Sequence, residues 1–364
     1  MSWMVTGGAG YIGGHVVHAF HAAGIPVVVV DDLSTGRARF VPDDVPLIRT
    51  SLLDTEALSH ALRKHEVSGV VHVAGFKYAG VSVQEPLRTY RNNVQGTLSV
   101  LEAMEACNVR RIVFSSSAAV YGTPDVPVVT EQTAPSPESP YGESKLIGEM
   151  MIAAQAVATG LRHTSLRYFN VVGSGTDGIV DLSPHNLFPL VFTALERGEV
   201  PRIFGTDYPT PDGTCVRDYV HVVDVARAHV AAAQALMAGV ELAPVYNLGS
   251  GEGTSVRQIM DAVGSVTGRG FEPAVHPRRP GDPARIVADG SRAARDLDWE
   301  NRHSLVEMVG SAWQARRAWD AQRSRPSPAV ASRACRRGQR RCAQLTRGKQ
   351  REACPGHRGS SRRE

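Results

Sequence analysis

Apolar positions in the first third of the chain gather in short, β-branched runs that lack a polar face. Trp3–Thr6, Val27–Asp31, Val70–Ala74 and Arg111–Ser115 are the plainest, and Val27-Val28-Val29-Val30 has no polar position at all. A strand with no polar face predicts a parallel sheet covered on both sides. Between these runs the apolar spacing lengthens to a helical period. It predicts helices over Ile12–Gly24 and Thr55–His65, and a long one from about Glu85 to Cys107. Alternation of this kind predicts an α/β protein, a Rossmann-type doubly wound parallel sheet.

After Asn170 the pattern loosens into loops rich in Gly and Pro, through Pro184, Pro189, Pro209 and Pro211. The expected organisation is a dinucleotide-binding domain over 1–170, with a return to the sheet at about 219–243. A smaller C-terminal α/β substrate lobe over 171–323 follows it. From residue 324 the periodicity vanishes and Arg, Ser, Gly and Pro dominate, which predicts a disordered basic tail over 324–364.

Charge divides at the same place. The chain of 364 residues carries a formal net charge of +4. Residues 324–364 hold eleven Arg and one Lys against two Glu, a net +10. Residues 1–323 hold 28 basic and 34 acidic side chains, a net −6. A basic surface for nucleic acid is therefore not expected of the body, and the tail lacks the interleaved aromatics that stack on bases. Cysteine splits likewise, Cys107 and Cys215 in the body and Cys335, Cys342 and Cys354 in the tail. Two isolated cysteines make no disulfide framework, and the tail spacing matches no zinc site. No leader pattern precedes Trp3 and no apolar run reaches ~18 residues, so a cytoplasmic protein with no membrane span is expected. His15, His18 and His21 recur every three residues, which drifts around a helix and predicts a polar face; no metal site is expected.

The chemistry begins at Gly7-Gly8-Ala9-Gly10-Tyr11-Ile12-Gly13, between the first strand and the first helix. Glycine at Gly7, Gly10 and Gly13 lets the backbone approach a pyrophosphate, which the helix N-terminus then attracts. The second strand ends in Asp31-Asp32, where a carboxylate accepts from a ribose 2′-hydroxyl and repels a 2′-phosphate. NAD is expected over NADP, although Arg37 lies close by. Tyr141 and Lys145 sit four apart at the start of a helix, so they share a face. An ammonium beside a phenol can stabilise its phenolate as a base near neutral pH, though such pairs are also common on exposed helices. Ser115-Ser116-Ser117 ends a strand, which places the Ser117 hydroxyl toward the ligand-binding edge.

Taken together, Thr6–Gly13, Ser115–Gly122, Tyr141–Lys145 and Leu166–Asn170 resemble the extended short-chain dehydrogenase/reductases. His72–Lys77, Asn92–Thr97, Ile203–Thr210, Val216–Val222 and Arg278–Asp282 are similar to the branch that epimerises UDP-hexoses at carbon 4. The resemblance runs from about Trp3 to about Trp319. It implies an NAD-dependent interconversion of UDP-galactose and UDP-glucose through transient oxidation at sugar carbon 4. Tyr141 would take the 4-hydroxyl proton, Ser117 would hydrogen-bond that oxygen and Lys145 would hold the nicotinamide ribose. Gly7, Gly10, Tyr11, Ile12, Gly13, Asp31, Asp32, Ala74, Lys77, Asn93, Ser115 and Tyr168, with Tyr141 and Lys145, are implied on the cofactor. Ser117, Asn170, Asn186, Leu187, Phe204, Arg217, Arg279 and Asp282 are implied on the UDP-sugar. The resemblance also implies a homodimer formed through two helices.

Alternatives in the same fold are UDP-GlcNAc 4-epimerases and 4,6-dehydratases; a non-catalytic NAD sensor is a third. Dehydratases carry an Asp-Glu pair where this chain has Ala118-Ala119, and elimination needs that acid and base. A sensor has no need of the Tyr141–Lys145–Ser117 set. Three further departures stand out: Leu52 where relatives place an acid near the adenine, Ala119 for a threonine, and Ile286 at the position that gates sugar size.

Overall fold

The computed structural model describes residues 2–279 and 282–324; the expected basic tail lies outside the described residues except for Ser324. Strands β1 (Ser2–Thr6) and β2 (Val27–Asp31) flank helix α1 (Tyr11–Ala22) as a first βαβ unit. A short strand, β3 (Leu47–Arg49), follows, then α2 (Thr55–Lys64) and β4 (Val67–His72). Asp54 caps α2 by accepting from the Ala57 N–H at 2.9 Å, which fixes where that helix starts.

The long helix expected from Glu85 to Cys107 is instead composite. After α3 (Ala79–Gln84) come α4 (Pro86–Tyr90), a π-helical turn over Arg91–Gln95, and α5 (Gly96–Ala106). The π turn carries Asn93 inward. Strand β5 (Arg111–Ser115), helix α6 (Pro140–Thr159) and strand β6 (Arg162–Tyr168) complete the first half. Beyond it lie β7 (Asn170–Val172), α7 (Leu187–Glu196), β8 (Arg202–Phe204), β9 (Val216–Arg217), β10 (Tyr219–His221), α8 (Val222–Met237) and β11 (Val245–Leu248). Strand β12 (Thr254–Ser255), helix α9 (Val256–Thr267), strands β13 (Ala274–His276) and β14 (Arg285–Ile286), and helices α10 (Ser291–Leu297) and α11 (Leu305–Ser324) follow.

The large sheet is parallel throughout, in the order β11-β6-β5-β4-β1-β2-β3. Its apolar runs divide by side-chain alternation. Trp3, Val5, Val27 and Val29 enter one core with α1 and α8, while Met4, Val28 and Val30 enter a second core with α2, α5 and α6. That is why no position of the Val27–Val30 run is polar. The return to the large sheet is made by Val245–Leu248, not by residues inside 219–243. Tyr219–His221 pairs with β7 in a separate two-stranded sheet, and the following Ala-rich stretch is helix α8. A third core, containing Val172, Phe188, Phe192, Ile203, Tyr219, Ile259 and Val309, holds the smaller lobe. Residues up to Ala318 group as one compact unit. Among the described residues no helix is long and apolar enough to cross a membrane.

The three histidines of α1 go to separate partners: His15 to the Tyr11 carbonyl, His18 to that of Phe40, and His21 to Asp44. Among the described residues, no group of three or more His, Cys, Asp or Glu could hold a metal ion.

Burial keeps four histidines neutral far below their ordinary range: His72 to about 3, and His15, His221 and His229 to about 4. In the unfolded chain the same rings bind protons at about 6.5. The unfolded state therefore holds more protons between these values, and stability falls as pH drops from about 6.5 toward 4. The expected uptake is about four protons on unfolding near pH 5, or ~5 kcal/mol per pH unit at the steepest. Melting temperature measured against pH checks this; a His72→Gln chain should show a slope smaller by about one proton.

Candidate active site

The order of the sheet reverses about β1 and β4, and the loops beyond their carboxyl ends border a cleft of about 820 Å³. Such a switch point is where open α/β sheets bind ligands. The loop after β1 forms its floor. Gly7 lies at φ +69°, and a Cβ there would stand 2.7 Å from the Ala74 backbone. A Cβ on Gly13 would stand 2.0 Å from the Gly7 carbonyl oxygen, so only glycine lets α1 begin this close to the strand. Gly10 is the N-cap of α1 and offers no side-chain acceptor, which leaves the first-turn N–H groups free for an anion. Tyr11 fixes the same turn by donating its hydroxyl to the Gly173 carbonyl at 2.6 Å.

At the end of β2, the Asp31 carboxylate accepts from the Ala9 N–H at 3.0 Å and the Leu33 N–H at 2.8 Å. It thus braces the glycine loop while bordering the cleft. Burial raises its pKa against those two hydrogen bonds. Asp32 accepts from the Ser34 N–H and hydroxyl, and Arg37 turns one nitrogen back to the Gly36 carbonyl at 2.9 Å. A cradle that excludes any Cβ, an exposed helix N-terminus and an acidic strand end together fit a dinucleotide with an unphosphorylated ribose.

Helix α6 supplies the reactive pair. Ser139 caps it, accepting from the Gly142 N–H at 3.2 Å, and Pro140 occupies the first turn. A Cβ at Gly142 would come within 2.4 Å of the Ala119 carbonyl, so glycine lets α6 press against the 3-10 turn Ala118–Tyr121. This contact brings Tyr141 to Ser117. Burial raises the Tyr141 phenol above its ordinary range, and the Ser117 hydroxyl facing it pulls the other way. Lys145 is buried at 4% exposure, donates to the Ser115 carbonyl at 2.8 Å and lies 4.9 Å from the Phe114 ring centre. Burial lowers the Lys145 ammonium to about 8, opposed by the Glu149 carboxylate. The pair is therefore a neutral phenol beside an ammonium that has lost much of its proton affinity.

The cleft collects most of the residues expected on the cofactor: Gly7, Gly10, Tyr11, Ile12, Gly13, Asp31, Asp32, Ala74, Lys77, Tyr141, Lys145 and Tyr168 all border it. Asn93 and Ser115 lie outside that lining. The Asn93 amide accepts from the Phe76 N–H at 2.6 Å and donates to the Phe76 carbonyl at 3.0 Å and to Ser144 at 2.8 Å. It shapes the loop that carries Lys77. The Ser115 hydroxyl pairs with His229 at 2.8 Å, and His229 pairs with the Val225 carbonyl through its other nitrogen.

Of the residues expected on a sugar nucleotide, Ser117, Asn170, Asn186, Leu187 and Arg217 border the same cleft. Phe204, Arg279 and Asp282 border a neighbouring cavity of about 410 Å³, which shares Leu187, Arg217 and Tyr219 with the cleft. Arg217 pairs with Asp282, and the Arg279 guanidinium lies 4.1 Å from the Phe204 ring centre. Leu52, Ala119 and Ile286 also border the cleft.

Three bordering residues went unnoticed in the sequence. Asp181 pairs with Lys77 at 3.8 Å and accepts from the Asn186 amide at 2.7 Å. Tyr78 packs edge-on against His185 at 4.8 Å. These contacts join the loop after β4 to the segment before α7. No periodicity marks either segment, and no local spacing could have paired them.

Comparison with known proteins agrees with this architecture. Residues 3–249 match the family described as the NAD dependent epimerase/dehydratase family. A UDP-glucose 4-epimerase of Azospirillum brasilense is 42% identical over 310 residues, 84% of this chain and 89% of that one. Among solved structures, a UDP-glucose 4-epimerase of Brucella ovis in complex with NAD superposes with a TM-score of 0.82 at 40% identity. It covers 85% of this chain and 97% of its own. One from Stenotrophomonas maltophila, with bound NAD and formylated UDP-arabinopyranose, gives a TM-score of 0.85 at 37% identity, covering 88% and 99%.

Proposed function

This chain belongs to the NAD dependent epimerase/dehydratase family, and from that premise we propose that it interconverts UDP-galactose and UDP-glucose. One observation carries the reading: Ser117, Tyr141 and Lys145 converge in the cleft that the glycine loop and Asp31 border. NAD, when bound, supplies the group that accepts a hydride from sugar carbon 4 and returns it to the opposite face.

The chain's own residues handle the proton and the orientation. Tyr141, as phenolate, takes the proton of the sugar 4-hydroxyl, and Ser117 hydrogen-bonds the same oxygen. Lys145 holds the nicotinamide ribose, and its charge favours the phenolate. Gly7, Gly10, Tyr11, Ile12 and Gly13 hold the pyrophosphate side of the cofactor. Asp31 and Asp32 take the adenosine ribose, and Ala74, Lys77 and Tyr168 face the rest. Asn93 and Ser115 act from behind, one on the loop of Lys77 and the other on Lys145 itself.

Asn170, Asn186, Leu187, Phe204, Arg217, Arg279 and Asp282 hold the UDP-sugar. The shared wall of the two cavities suits an elongated ligand with its hexose near Tyr141 and its diphosphate near the arginine forks. Ala118 and Ala119 supply no acid or base, which weighs against elimination.

We also infer a homodimer through α5 and α6. Leu98, Met150 and Val157 are 45%, 62% and 91% exposed there, and Met150 and Val157 lie seven residues apart on one helical face.

Pure protein given UDP-galactose should form UDP-glucose, and Tyr141→Phe should lower that rate by ~2 or more orders of magnitude. Near-normal turnover in the variant would refute the assignment of the base. Because Ile286 borders the cleft with a small side chain, UDP-GlcNAc should also turn over. Ile286→Tyr should remove that activity while sparing UDP-galactose; a wild-type chain inert toward UDP-GlcNAc refutes the gate. Light scattering should give the mass of two chains, falling to one in Met150→Glu/Val157→Glu; a monomeric wild type ends the dimer proposal.

A further inference from the structure

Tyr141, Lys145 and Glu149 are spaced four apart on α6 and so stand along one face of it. The first two border the cleft; Glu149 does not. Its carboxylate is buried and receives Arg167 in a bidentate pair, Nε at 2.9 Å and Nη2 at 2.5 Å. The Ser116 hydroxyl donates to the same carboxylate. Arg167 comes from β6 and Ser116 from the residue after β5, so two strands grip one side chain of the helix. The guanidinium lies 4.8 Å from the Tyr121 ring centre, and its remaining nitrogen, Nη1, is buried with no hydrogen-bond partner.

As a fastener between helix and sheet this arrangement is poor. A buried ion pair sacrifices the hydration of two charges, and apolar side chains of equal volume hold elements together as well or better. An unpartnered guanidinium nitrogen adds to that cost. What an apolar pair lacks is a negative charge one helical turn beyond Lys145. Burial works against the Lys145 ammonium, and the Glu149 carboxylate opposes it.

We propose that Glu149 is a positioning residue for the reaction above: its carboxylate, fixed by Arg167 and Ser116, keeps the Lys145 ammonium charged beside Tyr141. The proposal rests on the roles assigned to Tyr141 and Lys145. The groups around the pair are few. Tyr141 and Lys145 come from α6, Arg167 and Tyr168 from β6, Tyr121 from the turn after β5, and His72 from β4. His72 is neutral above about pH 3 and adds no charge. Glu131 acts on Tyr121 from the far side. Within this set Glu149 is the carboxylate that acts on Lys145.

The chain contains four lysines, Lys64, Lys77, Lys145 and Lys349, so NMR of lysine labelled with carbon-13 at the ε position can follow Lys145 alone. Glu149→Gln should lower its titration midpoint by about one pH unit or more, a tenfold loss of proton affinity. Glu149→Asp, which keeps the charge, should stay near the wild-type midpoint. The alkaline limb of kcat should move with the midpoint. Glu149→Gln/Arg167→Met removes the stranded guanidinium and guards against misfolding; its midpoint should also lie below wild type. An unmoved midpoint in the folded single or double variant overturns the proposal. A moved midpoint in a chain that turns over no UDP-galactose upholds the charge effect and refutes the reaction. Normal wild-type turnover with an unmoved midpoint does the reverse.

Discussion

An ammonium group held away from water is the constraint around which this site is built. Lys145 has exchanged its hydration shell for the Ser115 carbonyl, the Phe114 ring and a carboxylate one turn along its own helix. Substitutes of that kind work only when the helix lies hard against the sheet, because an unmatched buried charge costs several kcal/mol. The contact of Gly142 with the Ala119 carbonyl lets the helix come that close. The same approach brings Tyr141 to the Ser117 hydroxyl. Catalytic geometry and charge burial are thus one packing problem, solved at the junction of α6 with the end of β5.

What could be read from the chain alone was whatever is local. The valine run of β2 carries its own evidence of two-sided burial, and Tyr141 and Lys145 share a helical turn by spacing alone. β3 escaped notice because Leu47-Ile48-Arg49 is three residues long and mixed in polarity, as an edge strand permits. The return strand was expected too early because the apolar residues after Tyr219 suit a buried helix as well as a strand. Length decides such cases, and Val222–Met237 is too long for a strand. Asn93 and Ser115 show another limit. Their residue types suit a ligand, but the backbone turns them toward Phe76 and His229. The pairing of Lys77 with Asp181 spans more than a hundred residues and left no trace in either segment.

The electrostatics follow the same economy. A body with a net charge of −6 is no attractor of phosphates at long range. Short-range groups do that work instead: the unpaired N–H groups at the start of α1, and Arg217 and Arg279 at the neighbouring cavity. Attraction confined to a few ångströms favours ligands whose phosphates sit at a fixed distance from a fitted sugar or base. It offers little to a polyanion that merely touches the surface.

The π-helical turn at Arg91–Gln95 changes how the chain tolerates alteration in length. A π turn fits one more residue into a helix than the α ladder would hold, and relatives of a helix with and without one differ by a single insertion. Removing one residue here would shorten nothing visible, yet it would rotate all of α5 by about 100° relative to α4. Val100, Leu101 and Met104 would swing out of the core, and Asn93 would lose the Phe76 backbone. A lost codon within these five positions would therefore act as a twist along the helix axis, felt at both the core and the cofactor loop.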